Sequence, residues 1–341
     1  MHHYRGSFIF TLITLGLGFG YGLYMFDNII GALGVVVTMA ILGILEVSLS
    51  FDNAVVNARV LKTMDDVWKH RFLTWGIAIA VFGMRIVFPI LIVSLVGHIG
   101  IFDALYMAIN DPKLYAETLT SSHLSIAGFG GAFLFLVAFG YFFNEEKDVH
   151  WISFIEKHLV KLGEKSSVGI ILTLGIIYGF YLSLNSTEFL IAGIFGIITH
   201  ELVHLLGSLM GSEEDLTVST AKSGLASFLY LEVLDASFSF DGVIGAFVLS
   251  TNIFIIAGGL GIGAYFVRSM TIHLVESDTL AQFKYLEHGA FWSILILATI
   301  MFASTLLHIP EAVTGILSVS LIGIAVVHSI YEKRGQNGIN N

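Results

Sequence analysis

The sequence predicts an all-α polytopic membrane protein of about ten transmembrane helices built as an inverted repeat of three-helix units. Three observations predict it. Of 341 residues, 56% are hydrophobic and only 12% charged, with a mean hydropathy of +0.86, the composition of a chain solvated by lipid. Apolar runs long enough to span a bilayer recur along the whole chain. Two related polar runs interrupt them, Glu46-Val-Ser-Leu-Ser-Phe-Asp52-Asn53 and Asp235-Ala-Ser-Phe-Ser-Phe-Asp241-Gly242, each with two carboxylates flanking two serines.

The apolar runs place helices at 7–26, 30–58, 73–97, 125–143, 167–184, 188–210, 222–249, 252–272, 289–308 and 311–331. The opening run lacks a small-residue cleavage signal and reads as a retained first helix. Lys and Arg collect at alternate connections. Arg59, Lys62, Lys69 and Arg71 lie in 59–72, Lys147, Lys157, Lys161 and Lys165 in 144–166, and Lys333 and Arg334 in the tail, whereas the opposite side has only Lys113. That asymmetry predicts a multi-pass inner-membrane protein with both termini in the cytoplasm. The chain is then one membrane domain, 1–341, with a first repeat over 30–143 and a cytoplasmic linker plus two inserted spans over 144–221. A second repeat covers 222–308, and a last helix and tail cover 309–341.

The connection 99–122 is long enough for a short interfacial helix, and 144–165 mixes charges with Trp151, Phe154 and Ile155, as an amphipathic surface helix or a solvated linker would. Asn185-Ser-Thr-Glu188 reads as a capping arrangement. The net charge of -10 includes several acids inside apolar segments, and no basic patch or nucleic-acid motif is present, so the expected partners are the lipid bilayer and a small ion. With no Cys, disulfides and thiolate metal sites are excluded.

The first polar run lies on the second predicted span and the second on the seventh, so the two helices enter from opposite sides, the plan by which many secondary transporters build a midplane site. Arg85 and Arg268 fall on the spans that follow the two runs. An acid in hydrocarbon costs a few kcal/mol or more and is normally functional. On a regular helix, residues six apart diverge by roughly 120° and 9 Å. Glu46 therefore aligns with Ser50, Asn53 and Asn57, and Asp52 with Ser48. In the second run Asp235 aligns with Glu232, Ser239 and Gly242, and Asp241 with Ser237. Either two striped helices surround one ion, or each helix unwinds at its serines and lends carbonyls.

The oxygen-only donor set suits Mg, Ca or Mn rather than zinc or copper. Glu46, Asp52, Asn53, Asp235 and Asp241 are the expected metal ligands. Ser48, Ser50 and Ser239 support them, and Glu232 is a candidate proton carrier. Arg85 and Arg268 are counter-charges or gates, because guanidinium cannot ligate a cation. The plainer account is that the acids pair with the two arginines and fix helix packing.

His200-Glu201-Leu-Val-His204 completes an HExxH pattern. Two histidines on one helical face can hold zinc while the glutamate activates water, and Asp241 would supply a third ligand, which describes an intramembrane metalloprotease. The same residues also fit an accessory metal or proton site, or packing histidines. A protease leaves the repeated acids unexplained, so no enzyme is expected.

At these residues the chain resembles the TerC (tellurite resistance C) integral membrane family, in its DUF475-like branch. Glu46-x-x-Leu49-Ser50-x-Asp52-Asn53 is similar to that family's first acidic motif. Asp235-x-x-Phe238-x-x-Asp241 is similar to the second, with Gly242-Val-Ile-Gly in place of the usual Ser-Ile-Pro-Ala. Arg71, Gly76, Arg85, Asn252, Phe254, Arg268, Phe283-x-Tyr-Leu286 and Pro310 follow the family's spacing, over about 30–97 and 222–330. The resemblance implies a LysE-like exporter fold and export of metal ions, manganese foremost, with no organic cofactor. The family's association with tellurite resistance implies a further reading, a membrane scaffold that docks soluble stress-response proteins.

Overall fold

A computed structural model of the protein describes residues 2–145, 147–163, 167–209, 224–307 and 309–339. Every regular element among them is helical. In chain order they are α1 (Arg5–Phe26), α2 (Ile29–Leu49), α3 (Phe51–Thr63), α4 (Asp66–Ala78), a π-helical stretch (Ile79–Val87) continuous with α4, and α5 (Phe88–Val96). Then come α6 (Ile101–Asn110), α7 (Pro112–Ser121), α8 (His123–Phe142), α9 (Ser153–Gly163), α10 (Val168–Leu184), α11 (Thr187–Leu209) and α12 (Gly224–Leu249). The last are α13 (Ile253–Glu276), the single turn α14 (Thr279–Gln282), α15 (Leu286–Ala303) and α16 (Glu311–Ile339).

Among the described residues, eight helices are long and apolar enough to cross a membrane, or nine if the bent pair α9 and α10 makes one span. The expected count of ten therefore contracts, for a physical reason. Although α12 has 26 residues, any membrane-length stretch of it carries Glu232, Asp235 and Asp241. The expected long connection at 99–122 is two short helices, α6 and α7, and the linker holds α9.

Sequence chemistry sets the helix ends. Asn28, Asp65 and Asp111 each accept the N–H groups of the turn they open. At 185–189 Asn185 closes α10 in the left-handed conformation, and Ser186 Oγ accepts from Phe189 N–H at 3.3 Å to open α11. Asn252 Oδ1 accepts from Phe254 and Ile255 N–H at 3.0 and 3.3 Å, capping α13, which contributes to the site. Asn252→Ala is expected to cost about 1 kcal/mol, read as a lowered thermal unfolding temperature of the purified protein in detergent.

Two clusters of buried apolar side chains hold the helices together. The larger joins α3, α8, α11, α12 and α15 through Phe133, Phe142, Phe189, Phe291 and Phe302; the smaller joins α2, α5, α6, α7 and α13. On the face where α3 ends, the linker is anchored by ions. The fully buried Glu156 of α9 takes the Lys147 ammonium at 2.9 Å, the Trp292 indole N–H at 3.1 Å, and the Trp151 and Ile152 N–H groups, both at 3.2 Å. Beside it Arg59 pairs with Glu287 at 2.6 Å and stacks over Tyr141.

Candidate cation site

The site lies where α2, α3, α4 with its π-helical extension, α12 and α13 converge. The first polar run does not form one helix. At Ser50 the backbone turns (φ -110°, ψ 18°), ending α2 and starting α3, although Ser50 N–H still reaches Glu46 O and its carbonyl still accepts from Ala54 N–H. The expected unwinding at the serines is thus a kink in the first run. In the second, α12 runs unbroken through Ser237 and Ser239.

Glu46, at the end of α2, is 1% exposed and accepts from Ser50 Oγ at 3.0 Å and from Arg85 Nη2. Arg85 reaches it from the π-helical stretch, whose wider turn lets Arg85 Nη1 donate to Ala80 O at 2.6 Å. The same Nη1 lies 3.5 Å from Asp235 Oδ2 on α12. Asp235 Oδ1 in turn accepts from Asn53 Nδ2 at 2.5 Å. The helices carrying the two acidic runs therefore meet, and Glu46, Ser50, Asn53, Arg85 and Asp235 form one chain of hydrogen bonds and ion pairs across them.

Glycines make the approach possible. A Cβ on Gly263 of α13 would lie 2.4 Å from Glu46 Cβ and 2.7 Å from Gly43 O. A Cβ on Gly76 would lie 2.8 Å from Arg268 Nη2 and 3.2 Å from Glu232 Oε1. Beside this chain is a small cavity lined by Ser50, Asn57, Arg85, Glu232, Asp235 and Arg268 among others. Three buried oxygens of its lining have no hydrogen-bond donor: Asn57 Oδ1, Glu232 Oε1 and Asp235 Oδ2. Arg268 lies over the Phe72 ring, 3.6 Å from its centroid, with Nε and Nη2 unpartnered.

The other expected residues go elsewhere. Asp52, 1% exposed, turns away from the chain just described and accepts from Ser293 Oγ of α15 at 2.8 Å and from Asn53 N–H at 2.9 Å. Residues six apart already diverge on a regular helix, and the kink at Ser50 lies between Glu46 and Asp52 as well. Ser48 spends its hydroxyl on Ile44 O. Ser239 is buried with its Oγ unpartnered. The side chain of Asp241 lies outside the described residues. In the HExxH pattern, His200 Nδ1 is 3.0 Å from Glu201 Oε1 and the His200 ring packs edge-on against Phe133, while His204 sits on an exposed face of α11.

Among the described residues no three His, Cys, Asp or Glu side chains are grouped closely enough to hold a metal ion. The donors assembled here are instead two carboxylates bridged by a guanidinium, with amide and hydroxyl oxygens around them. Sequence reasoning missed Asn57 as a cavity residue, Ser293, and the two glycines. Ser293 carried no signal, whereas Asn57 lay on the Glu46 stripe, Gly76 followed the family's spacing, and Gly263 ends the small-residue pattern Gly259-x-x-x-Gly263.

Comparison with curated proteins and with solved structures returns no match. A family model described as "Protein of unknown function (DUF475)" matches residues 51–336, a stretch that includes Arg85, Asp235 and the whole cavity lining apart from Ser50, and the chain belongs to that family.

Proposed function

We propose that the protein exports a divalent metal cation, Mn2+ foremost, through the cavity between α3, α12 and α13, by alternating access of two halves inverted in the membrane. In this reading α12 crosses the bilayer with its acids turned inward, which restores ten crossings with both termini in the cytoplasm. The observation that carries it is the set of buried oxygens without donors on one cavity, Asn57 Oδ1, Glu232 Oε1 and Asp235 Oδ2, beside the Glu46 carboxylate. Buried acceptors normally have partners, and acceptors that lack them favour a positive guest. Oxygen donors of this kind suit a hard dication. The resemblance of both acidic runs to the TerC family supports the same cargo. Glu46, Asp235 and Asn53 are the proposed ligands, with Ser50 and Asn57 completing the shell.

The test is Mn2+ flux into proteoliposomes containing the purified protein. Glu46→Gln and Asp235→Asn keep size and hydrogen bonding but remove charge, and each is expected to lower flux by about tenfold or more, the scale of one lost charge contact of 1.4 kcal/mol or above. Asp52→Asn in the same assay decides whether its separate position still serves the ion path. Wild-type flux equal to that of empty vesicles, or folded Glu46→Gln and Asp235→Asn variants that transport like wild type, would overturn the reading.

A further inference from the structure

Arg85 occupies the ground a cation would need. It donates to Glu46 Oε1 through Nη2 and faces Asp235 Oδ2 through Nη1, so one guanidinium spans the two carboxylates that belong to opposite acidic runs. A guanidinium and a dication placed between the same two carboxylates repel each other and compete for the oxygens that face Arg85, Glu46 Oε1 and Asp235 Oδ2. The charge count is equally restrictive. With Arg85 between them the two carboxylates sum to one negative charge, and a dication added there with Arg85 unmoved makes the sum one positive charge.

Arg85 is also placed to leave. Its Nε has no acceptor, and away from the carboxylates it is held among the described residues by one carbonyl, Ala80 O. It projects from a π-helical insertion, a feature concentrated at functional sites, and it lines the cavity beside the two carboxylates. Arg268 provides the contrast. It faces the same cavity from α13, yet among the described residues it makes no ion pair and rests on Phe72 instead. Of these two buried arginines, Arg85 alone bridges the acids of the site.

We propose that Arg85 is a tethered competitor of the cargo, which binds the Glu46 and Asp235 carboxylates in exchange for the divalent cation. Each entering cation displaces the guanidinium, and each departing cation is replaced by it. The carboxylates are then never left bare at membrane depth while the protein returns. This inference rests on the function proposed above.

The test is Mn2+ binding to the purified full-length protein in detergent, by equilibrium dialysis and by thermal unfolding. Arg85→Ala is expected to bind Mn2+ about tenfold more tightly than wild type, because the competing charge is gone. The variant is expected to unfold at a lower temperature without Mn2+ and to regain stability with it. Free guanidinium at millimolar concentration is expected to displace Mn2+ from Arg85→Ala and to leave wild type unaffected, since only the variant has room for it. Should the alanine variant fail to fold, Arg85→Lys, which keeps the charge but loses the two-pronged reach, is expected to bind Mn2+ about threefold more tightly.

Wild type that binds Mn2+ while a folded Arg85→Ala gains nothing, or is indifferent to guanidinium, overturns this inference and leaves the proposed function standing. The same holds if the alanine variant does not fold and Arg85→Lys gains nothing. Absence of Mn2+ binding in wild type and in the folded variants overturns both.

Discussion

Replacing Glu156 by alanine is expected to destabilise the protein by about 3–5 kcal/mol, the cost of removing one member of a buried ion pair. Glu156 is completely buried and is the acceptor on which the Lys147 ammonium, the Trp292 indole and two backbone N–H groups converge. Its loss leaves an ammonium with little exposure and several donors without an acceptor. The linker to α9 would detach from α15 while the membrane helices keep their packing. Thermal unfolding of the purified protein, together with protease cleavage in the linker, checks this; unchanged stability and unchanged cleavage would refute it.

The same residue predicts an acid-side limit. Burial by itself would raise the Glu156 carboxyl, but the hydrogen bond and charge of Lys147 outweigh it and hold the group below its ordinary value of 4.5. Burial pulls the Lys147 ammonium below its own ordinary range, against the opposing effect of Glu156. A carboxyl whose value is lower folded than unfolded stabilises fully above the unfolded value and loses that contribution as pH falls through the folded one. Wild type should therefore lose stability below about pH 4.5, and Glu156→Ala should show a flatter profile over the same range.

Gly263→Ala is expected to cost about 1–3 kcal/mol through overpacking and to abolish Mn2+ flux. The added methyl would meet Glu46 Cβ at 2.4 Å, Glu46 Cγ at 2.6 Å and Gly43 O at 2.7 Å. These are backbone and near-backbone atoms that cannot step aside, so α2 and α13 must separate. Separation shifts Glu46 relative to Arg85 and Asp235, which lie on other helices. Gly258→Ala is the matched control, because its methyl would meet the flexible end of Met39 at 2.3 Å, a thioether that can rotate, and Thr14 Cγ2 at an ordinary 3.4 Å. If both variants keep wild-type stability and flux, close approach of α2 and α13 has no part in building the site.

Much of this architecture could be read from the chain, and particular residues show how. The expected helices at 7–26, 125–143, 167–184 and 188–210 differ from α1, α8, α10 and α11 by at most two residues at either end, because lipid requires long uninterrupted apolar runs with polar punctuation. Helical periodicity predicted that Glu46 and Asp52 diverge, and Asp52 reaches Ser293 rather than Asp235 from the far side of the kink at Ser50. Periodicity could not reveal the kink at Ser50, the π-helical turn that carries Arg85, or Glu156. The last has the ordinary look of a surface acid on an amphipathic helix and is buried only because Lys147 and Trp292 close over it.

By itself the sequence determined that the protein is a helical membrane protein with two related acidic runs and an arginine after each, since hydropathy and the cost of buried charge act on composition and spacing. Which charges meet was decided only by the tertiary structure. Arg85 rather than Arg268 bridges Glu46 and Asp235, and Asn57 joins the cavity, because Gly43, Gly76 and Gly263 let particular helices approach closely. Electrostatic partnership depends on distances of a few ångströms between residues far apart in the chain, and helix packing sets those distances.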